Sequence, residues 1–134
     1  MYMDMIITFP GNRKVDAEYR GHTIRTDQPV LGGGDGSAPA PFDYFLVSIG
    51  TCSGIYVVDF CKKRGIPVDN IRIVQKTLRD REKKMITSIT IDIEVPPDFP
   101  EKYRNSLIRV VDLCSVKKHI LDAPSFEINV VANE

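Results

Sequence analysis

Three cysteines, Cys52, Cys61 and Cys114, carry the most distinctive chemistry of this sequence. An odd number of cysteines at wide spacings does not suit the disulfide framework of a secreted domain, so we interpret them as free thiols. A thiolate attacks peroxides and exchanges with disulfides, so two thiols brought together by the fold would form a redox site. Cys61 has no motif around it and, on a helix, lies about 180° from Cys52, so we do not expect it to join such a site.

Cys52 lies in a run of small residues, from Ser48 to Gly54, inside an otherwise bulky apolar segment. A glycine inside a helix costs about 1 kcal/mol relative to alanine. Gly50 and Gly54 therefore indicate either close packing of another helix or open space beside the thiol. Both arrangements suit a redox pocket.

Cys114 precedes a short run in which a new helical turn begins at Ser115. A sulfur at the start of a helix, near Lys117, Lys118 and His119, is expected to have a lowered pKa and fast thiol exchange. The alternative is a structural role, because free cysteine is among the most buried residue types.

Composition and charge exclude several function classes. The chain has 134 residues, which predicts one domain spanning 1–134. Its 18 basic and 18 acidic residues balance, so we expect neither nucleic acid nor an anionic membrane surface as a partner. Uninterrupted apolar runs such as Phe45–Val47 fall far short of the ~20 residues of a membrane span, and no signal segment begins the chain. We therefore predict a cytoplasmic protein.

Metal and organic cofactors are not expected. Neither Cys-x-x-Cys nor His-x-x-x-His spacing occurs, and His22 and His119 are far apart in sequence. The glycine-rich stretch Leu31–Ser37 lacks the Lys-Ser/Thr ending of a phosphate-binding loop. We interpret it as a flexible loop.

The periodicity of apolar residues predicts an α+β fold. A helix over Pro41–Arg64 is apolar on nearly every face, which is typical of a helix buried in a core. A second helix is expected near Phe99, where Asp98 and Glu101 resemble a capping box, and its apolar stripe points Cys114 inward. Strands are expected at Met5–Phe9, Val15–Tyr19, His22–Thr26, Ile71–Thr77, Met85–Val95 and Phe126–Val131.

Over nearly its whole length the chain resembles the OsmC/Ohr family, which contains thiol-dependent hydroperoxide reductases. The resemblance rests on the order of elements, on a Pro-x-acidic-aromatic-x-Leu helix start that leads to Gly-x-Cys (Pro41 to Cys52), and on the Cys-Ser-Val-Lys-Lys run from Cys114. It implies an intertwined homodimer in which antiparallel sheets surround long central helices. It also implies a cytoplasmic stress-response peroxidase without cofactor, in which Cys52 is peroxidatic and Cys114 resolving. A small hydroperoxide would be the substrate, and a small dithiol or a protein the reductant.

The chain departs from this family at the residues that position the reactive thiolate. The peroxidases carry a Glu ten residues before the first cysteine, where this chain has Phe42, and the neighbouring Asp43 resembles the acidic residue of a less characterised branch. The family also uses an Arg, for which Arg13 is the best counterpart, with Arg20 and Arg25 as alternatives. A stress protein of the same fold that binds a small molecule or thiol ligand without turnover is therefore the alternative function.

Overall fold

A computed structural model describes residues 3–133 of the chain. Two antiparallel sheets and three α-helices give the predicted α+β class. The contacts within the chain divide it into two compact units, one up to Val47 and one from Ser48 onward. Each unit is described separately below, and a single domain remains a prediction.

The first unit contains a three-stranded antiparallel meander. Its strands are β1 (Ile6–Gly11), β2 (Lys14–Tyr19) and β3 (His22–Thr26), in the order β1-β2-β3. The tight connections require left-handed backbone, with φ of 46° at Asn12 and 51° at Arg20. The three predicted N-terminal strands are thus confirmed, with ends that shift by at most two residues.

A buried carboxylate organises the loop that follows β3. Asp27 is fully buried, and its carboxylate accepts hydrogen bonds from the backbone N–H of Gln28 (2.7 Å) and from both the N–H (3.0 Å) and the hydroxyl (2.6 Å) of Ser37. The backbone passes so close to itself that a Cβ at Gly34 would lie 2.0 Å from the carbonyl oxygen of Gln28. The prediction of a flexible loop was wrong, because Asp27 ties its two ends together.

The same loop is attached to the turn between β1 and β2. Lys14 forms an ion pair with Asp35 (2.8 Å), and the Asn12 amide donates to the Asp35 carboxylate (3.1 Å) and to the carbonyl of Gly33 (3.3 Å). These contacts join two segments that are distant in sequence. The turn that carries Arg13 is therefore held by a glycine-rich loop.

The second unit packs one face of a two-stranded sheet against helices. Strands β4 and β5 pair antiparallel, with Ile73 opposite Ile93. The predicted helices and middle strands are confirmed with small shifts at their ends. The elements are α1 (Pro41–Lys63, which begins in the first unit), β4 (Arg72–Asp80), β5 (Met85–Glu94), a 3-10 turn (Glu101–Tyr103), α2 (Arg104–Val111) and α3 (Ser115–Leu121).

The hydrophobic core of this unit joins α1 to α2. Val57 and Phe60 of α1 pack with Leu107 and Val111 of α2, and the sheet contributes partly buried isoleucines. Full burial of a large apolar side chain stabilises a fold by about 1.5–3 kcal/mol. This cluster fixes the side of α1 that faces the sheet.

The opposite side of α1 is exposed in the isolated chain. Ile55 and Val58, about half a turn from Phe60 around the helix, are 54% and 40% exposed. The prediction that α1 is buried on nearly every face is therefore wrong for a single chain. The sheet and α2 cover one side of α1, and on the other side the Ile55 and Val58 side chains stay exposed.

By length and composition, α1 is able to cross a membrane, although only 28% of its most apolar window is buried. The sequence prediction missed this because Ser48, Gly50 and Thr51 interrupt the apolar residues. The core helix of a soluble protein meets the same criterion, so the finding is weak evidence for a membrane span.

The C-terminal segment differs from its prediction. Residues 123–133 form no strand, and Phe126, Ile128 and Val130 are 85%, 92% and 101% exposed. A strand requires a neighbour with which to form a hydrogen-bonded ladder. The alternation typical of a strand is present, but the chain supplies no partner for this segment.

The predicted capping box before the second helix is also absent. The 3-10 turn starts after Pro100, which has no side-chain capping hydrogen bond. The residue before the 3-10 turn is therefore Pro100, and Asp98 is not the N-cap of this turn.

Replacing Asp27 by Asn should destabilise the fold at neutral pH. The substitution replaces one carboxylate oxygen, a hydrogen-bond acceptor, by an amide NH2 group, which cannot accept the hydrogen bonds from N–H and O–H donors. The hydrogen bonds from Ser37 and Gln28 lower the pKa of Asp27 from 3.8 to about 2. Its stabilising effect is therefore complete above the unfolded pKa of 3.8 and is lost as the pH falls through about 2. Urea unfolding should show a flatter acid dependence for Asp27→Asn than for wild type.

Asp35→Asn is the matched control, because it alters an ion pair of half-exposed groups, which contributes little. Equal urea midpoints for wild type and Asp27→Asn at neutral and acidic pH would contradict the role of Asp27.

Candidate functional site

Cys52 and Cys114 lie on different helical segments of the second unit. Cys52 is in the middle of α1 and partly exposed. Cys114 immediately precedes α3, has extended backbone (φ −49°, ψ 129°), and is 1% exposed. Its N–H donates to Val111 at the end of α2 (3.1 Å), and its carbonyl accepts from Lys118 in α3 (3.0 Å). The break between α2 and α3 thus falls at the cysteine itself.

The structure brings the Cys52 and Cys114 thiols into hydrogen-bond contact. Burial raises the pKa of Cys52. Hydrogen bonds to the Cys52 sulfur from the Cys114 thiol and from the N–H groups of Val116 and Ser115 lower it, and together they outweigh burial. The net pKa of Cys52 is below its ordinary value. Three donors directed at one sulfur favour its thiolate form.

Cys114 has the opposite shift. Burial, followed by the hydrogen bond to Cys52, raises the pKa of Cys114, and the N–H groups of Lys117 and Val116 only partly compensate. The predicted lowering of its pKa was therefore wrong. The Lys117 amine forms an ion pair with Asp112, and the His119 ring contacts the carbonyl of Ser115, so these side chains have other partners.

The two thiols form an asymmetric pair in which Cys114 retains the proton that Cys52 loses. Interacting sites of this kind titrate in two steps that belong to the pair. The thiolate of the pair therefore forms more readily at Cys52 than at Cys114. Both residues were predicted from the sequence, with Cys52 as the attacking sulfur, and only the expected lowering of the Cys114 pKa is wrong.

Cys61 is a core residue. It is fully buried in the cluster between α1 and α2, and burial raises the pKa of its thiol. A buried thiol with a raised pKa is a poor nucleophile. This location agrees with the prediction that Cys61 does not join the pair.

The glycines near Cys52 face strand β4. A Cβ at Gly50 would lie 2.5 Å from Oε1 of Gln75, and one at Gly54 would lie 3.9 Å from Ile73. Of the two explanations from sequence, close packing of a second helix is wrong, because the neighbours of both glycines are side chains of β4. Gly50 leaves room for the end of the Gln75 side chain, whereas a Cβ at Gly54 would fit with an ordinary contact.

Asp43 has a structural contact that the sequence analysis missed. It lies in the first turn of α1, where its carboxylate accepts a hydrogen bond from the N–H of Ala40 (2.9 Å). This is the bond that an acidic residue at the third position of a helix makes to its N-cap. Asp43 thus stabilises the start of α1, and its role toward a thiolate stays a prediction.

The three candidate arginines all belong to the first unit and are exposed. Arg13 lies in the turn between β1 and β2, with its side chain against Gly33. Arg20 stacks on the ring of Tyr19 at 5.1 Å, and Arg25 is in β3. The choice of Arg13 stays a prediction. Asp27, which holds the loop beside Arg13, was missed because its partners are defined only by the fold.

A cavity of about 600 Å³ lies beside the cysteine pair in the second unit. Isoleucines of β5, α2 and α3, including Ile91, Ile108 and Ile120, form much of its wall, and Cys114 is part of the same wall. Lys117 and its ion-pair partner Asp112 contribute charged groups. The lining suits an aliphatic group. Within residues 3–133, no cluster of three or more His, Cys, Asp or Glu side chains could hold a metal ion.

Comparisons with known proteins identify the family and the fold. The profile of the family described as OsmC-like protein matches residues 34–129. The matched range contains Asp43 and both paired cysteines, whereas Arg13, Arg20 and Arg25 precede it. A comparison with curated proteins found no match.

Several solved structures share the fold. A proposed osmotic stress induced and detoxification response protein from Psychrobacter arcticus is 19% identical, with a TM-score of 0.73 and 88% of each chain covered. An OsmC-like protein from Mycoplasma pneumoniae is 12% identical, with a TM-score of 0.69, 92% of this chain and 89% of that chain covered. An organic hydroperoxide resistance protein OsmC from Legionella pneumophila is 14% identical, with a TM-score of 0.53 and 90% of each chain covered. At these identities the likeness shows the fold.

The asymmetry of the pair predicts which thiol is alkylated first. As the pH is raised from acidic values, iodoacetamide should modify Cys52 at a lower pH than Cys114, and Cys61 should stay unmodified until the protein unfolds. Peptide mapping by mass spectrometry after short exposures gives the three rates. Modification of Cys114 at a lower pH than Cys52 would contradict the assignment of the lower pKa to Cys52.

Proposed function

Because the chain belongs to the OsmC-like protein family, we propose that it is a thiol-dependent peroxidase that reduces small or organic hydroperoxides through Cys52 and Cys114. The observation that carries the proposal is the hydrogen bond between the two thiols, together with their opposite pKa shifts. A two-cysteine peroxidase needs one ionised sulfur that reacts first and a protonated thiol within reach of it. The pair supplies both.

In the first step the Cys52 thiolate attacks one oxygen of the hydroperoxide. The O–O bond breaks, the leaving alkoxide takes a proton to become an alcohol, and Cys52 becomes a sulfenic acid. The N–H groups of Ser115 and Val116 hold the thiolate before the attack. The neighbouring Cys114 thiol is one source of this proton: its raised pKa favours the protonated form before the attack, and an alkoxide is basic enough to deprotonate it.

In the second step the Cys114 sulfur attacks the sulfenic sulfur of Cys52. An S–S bond forms, the S–O bond of the sulfenic acid breaks, and the leaving hydroxide takes a proton from solvent to become water. A disulfide needs Cα atoms within about 7 Å, and the interaction between the two thiols supports an approach of this kind. Two electrons from a small dithiol or a protein thiol would then restore both cysteines.

Arg13 and Asp43 enter this proposal as positioning residues for the Cys52 thiolate. Their support is the resemblance of the sequence to hydroperoxide reductases, in which an Arg and an acidic residue have this role. Phe42 replaces the family Glu, so Asp43 would act from the adjacent position.

The alternative is a stress protein that binds a small molecule without turnover. The apolar cavity of about 600 Å³ favours it, because a cavity of this size suits a small ligand. In that case the cysteine pair would be a sensor or incidental. Turnover with hydroperoxide separates the two functions.

We also propose that the working unit is a homodimer located in the cytoplasm. Support comes from the exposed apolar side of α1 and from the unpaired C-terminal segment, whose alternating apolar residues suit a strand. Contiguous apolar surface of this kind marks an association site. A second copy would cover α1 and give residues 126–131 a strand partner.

Substitutions of the two cysteines should have different effects. Cys52→Ser should abolish hydroperoxide consumption, because serine is not ionised near neutral pH. Cys114→Ser should still undergo the first oxidation, so that Cys52 accumulates as sulfenic acid and then as sulfinic acid. Mass spectrometry after one equivalent of peroxide should show one added oxygen on Cys114→Ser.

Cys61→Ala is the control, because this thiol is buried away from the pair, and it should retain turnover. Full activity in both Cys52→Ser and Cys114→Ser would end the peroxidase proposal.

Sedimentation should show a dimer at micromolar concentration. Val58→Asp should produce monomer, because a charge would lie on the exposed apolar side of α1. Leu78→Asp, on β4 and 64% exposed, is the control and should remain dimeric. A wild-type protein that sediments as a monomer would contradict the dimer.

A further inference from the structure

The break between α2 and α3 has a charged side chain on either side of Cys114. Asp112 is the C-cap of α2, and its N–H donates to the carbonyl of Ile108 (3.0 Å). Lys117 lies in the first turn of α3. The Lys117 amine forms an ion pair with the Asp112 carboxylate. The ion pair therefore spans the break at which Cys114 and the first N–H groups of α3 turn toward Cys52.

Both charges lie at the helix end that disfavours them. A carboxylate is stabilised near the N-terminus of a helix, and a cation is stabilised near the C-terminus. Asp112 ends α2 and Lys117 lies near the start of α3, which is the reverse arrangement. Helix stability therefore does not account for these two residues at these positions. Residues that conflict with a local rule are expected where a structure serves a functional site, and the site at this break is the cysteine pair.

Lys117 has contacts at both of its ends. Its backbone N–H donates to the sulfur of Cys114, and its amine contacts Asp112. One residue thus connects the end of α2 to the thiol that donates to Cys52. A movement of α3 away from α2 would move that thiol as well.

The charges of the ion pair do not themselves shift the pKa of Cys52. Within the part of the chain that the structure describes, Cys114 is the one titratable group that shifts this pKa, and the other causes are burial and the N–H groups of Ser115 and Val116. All three donors belong to the segment that the ion pair spans. An effect of the ion pair on Cys52 would therefore act through the position of these donors.

We propose that Asp112 and Lys117 are positioning residues for the reactive thiolate, because their ion pair holds the start of α3 where its N–H groups and the Cys114 thiol reach Cys52. The inference deepens the proposed function and rests on it, since it concerns the sulfur with which the proposed reaction begins. The Lys117 and Asp112 side chains are 45% and 63% exposed. Exposed ion pairs contribute little to stability, so variants of the two residues should keep the fold.

The sign of one effect separates positioning from a direct effect of charge. Asp112→Asn removes a negative charge, and the loss of a nearby anion by itself favours a thiolate and lowers its pKa. Loss of the ion pair instead releases the donors and raises the pKa of Cys52. We expect Asp112→Asn to raise the pH at which iodoacetamide modifies Cys52 by about half a unit, a shift that an exposed pair is able to supply. Peptide mapping after short exposures over a range of pH measures it.

Substitutions of the two neighbouring lysines are the matched controls. Lys117→Met should raise the modification pH of Cys52 as Asp112→Asn does, and Lys117→Arg should keep the wild-type value because it retains the ion pair. Lys118→Met removes the same charge one residue further along and should change the value much less. An unchanged or lowered modification pH in Asp112→Asn would overturn the inference, and so would equal shifts in Lys117→Met and Lys118→Met.

Alkylation requires neither peroxide nor reductant, so the inference and the proposed function can fail separately. If the variants follow these expectations while wild-type protein consumes no hydroperoxide, the proposed function fails and the positioning role stands. If wild-type protein consumes hydroperoxide and Asp112→Asn leaves the modification pH of Cys52 unchanged, the positioning role alone fails.

Discussion

The hydrogen bond from the Cys114 thiol to the Cys52 sulfur is the interaction on which the proposed chemistry depends. It exists because the chain breaks between α2 and α3 at Cys114 itself, which turns that thiol and the next N–H groups toward α1. The same break gives the two sulfurs different surroundings. Cys52 receives three donors, while burial dominates at Cys114. If the helix continued through Cys114, the N–H groups of Ser115 and Val116 would donate to carbonyls of the preceding helical turn. They would then not be available to the Cys52 sulfur.

The rest of the second unit holds α1 in place for this contact. The core cluster fixes one side of the helix, and Gly50 leaves room for the Gln75 side chain of β4. The Arg64 guanidinium lies 3.6 Å from the centre of the Phe60 ring, which adds a cation–π contact near the end of α1. With this side fixed by packing, the position of Cys52 is defined. The remaining apolar side of α1 is the surface that we assign to a second copy of the chain.

The sequence predicted what local patterns determine. Apolar periodicity located α1, the first three strands and the β4–β5 hairpin, and the phase of the second helix predicted that Cys114 is buried. Three features escaped prediction because they depend on contacts between distant residues. Asp27 acquires its partners only when the loop closes, the sign of the Cys114 pKa shift depends on burial and on Cys52, and residues 126–131 carry a strand pattern without a strand partner. The family resemblance identified both cysteines of the pair, but the order of their pKa values came from the structure.

The central claim is that Cys52 and Cys114 exchange two electrons with a hydroperoxide as a pair. The most direct test is to titrate fully reduced wild-type protein with an organic hydroperoxide in the absence of reductant, and to count both the peroxide consumed and the thiols that remain. We predict that each chain consumes one peroxide and loses two of its three thiols, with Cys61 still reduced after denaturation. Consumption of no peroxide, or loss of thiols that includes Cys61 in place of Cys114, would contradict this account.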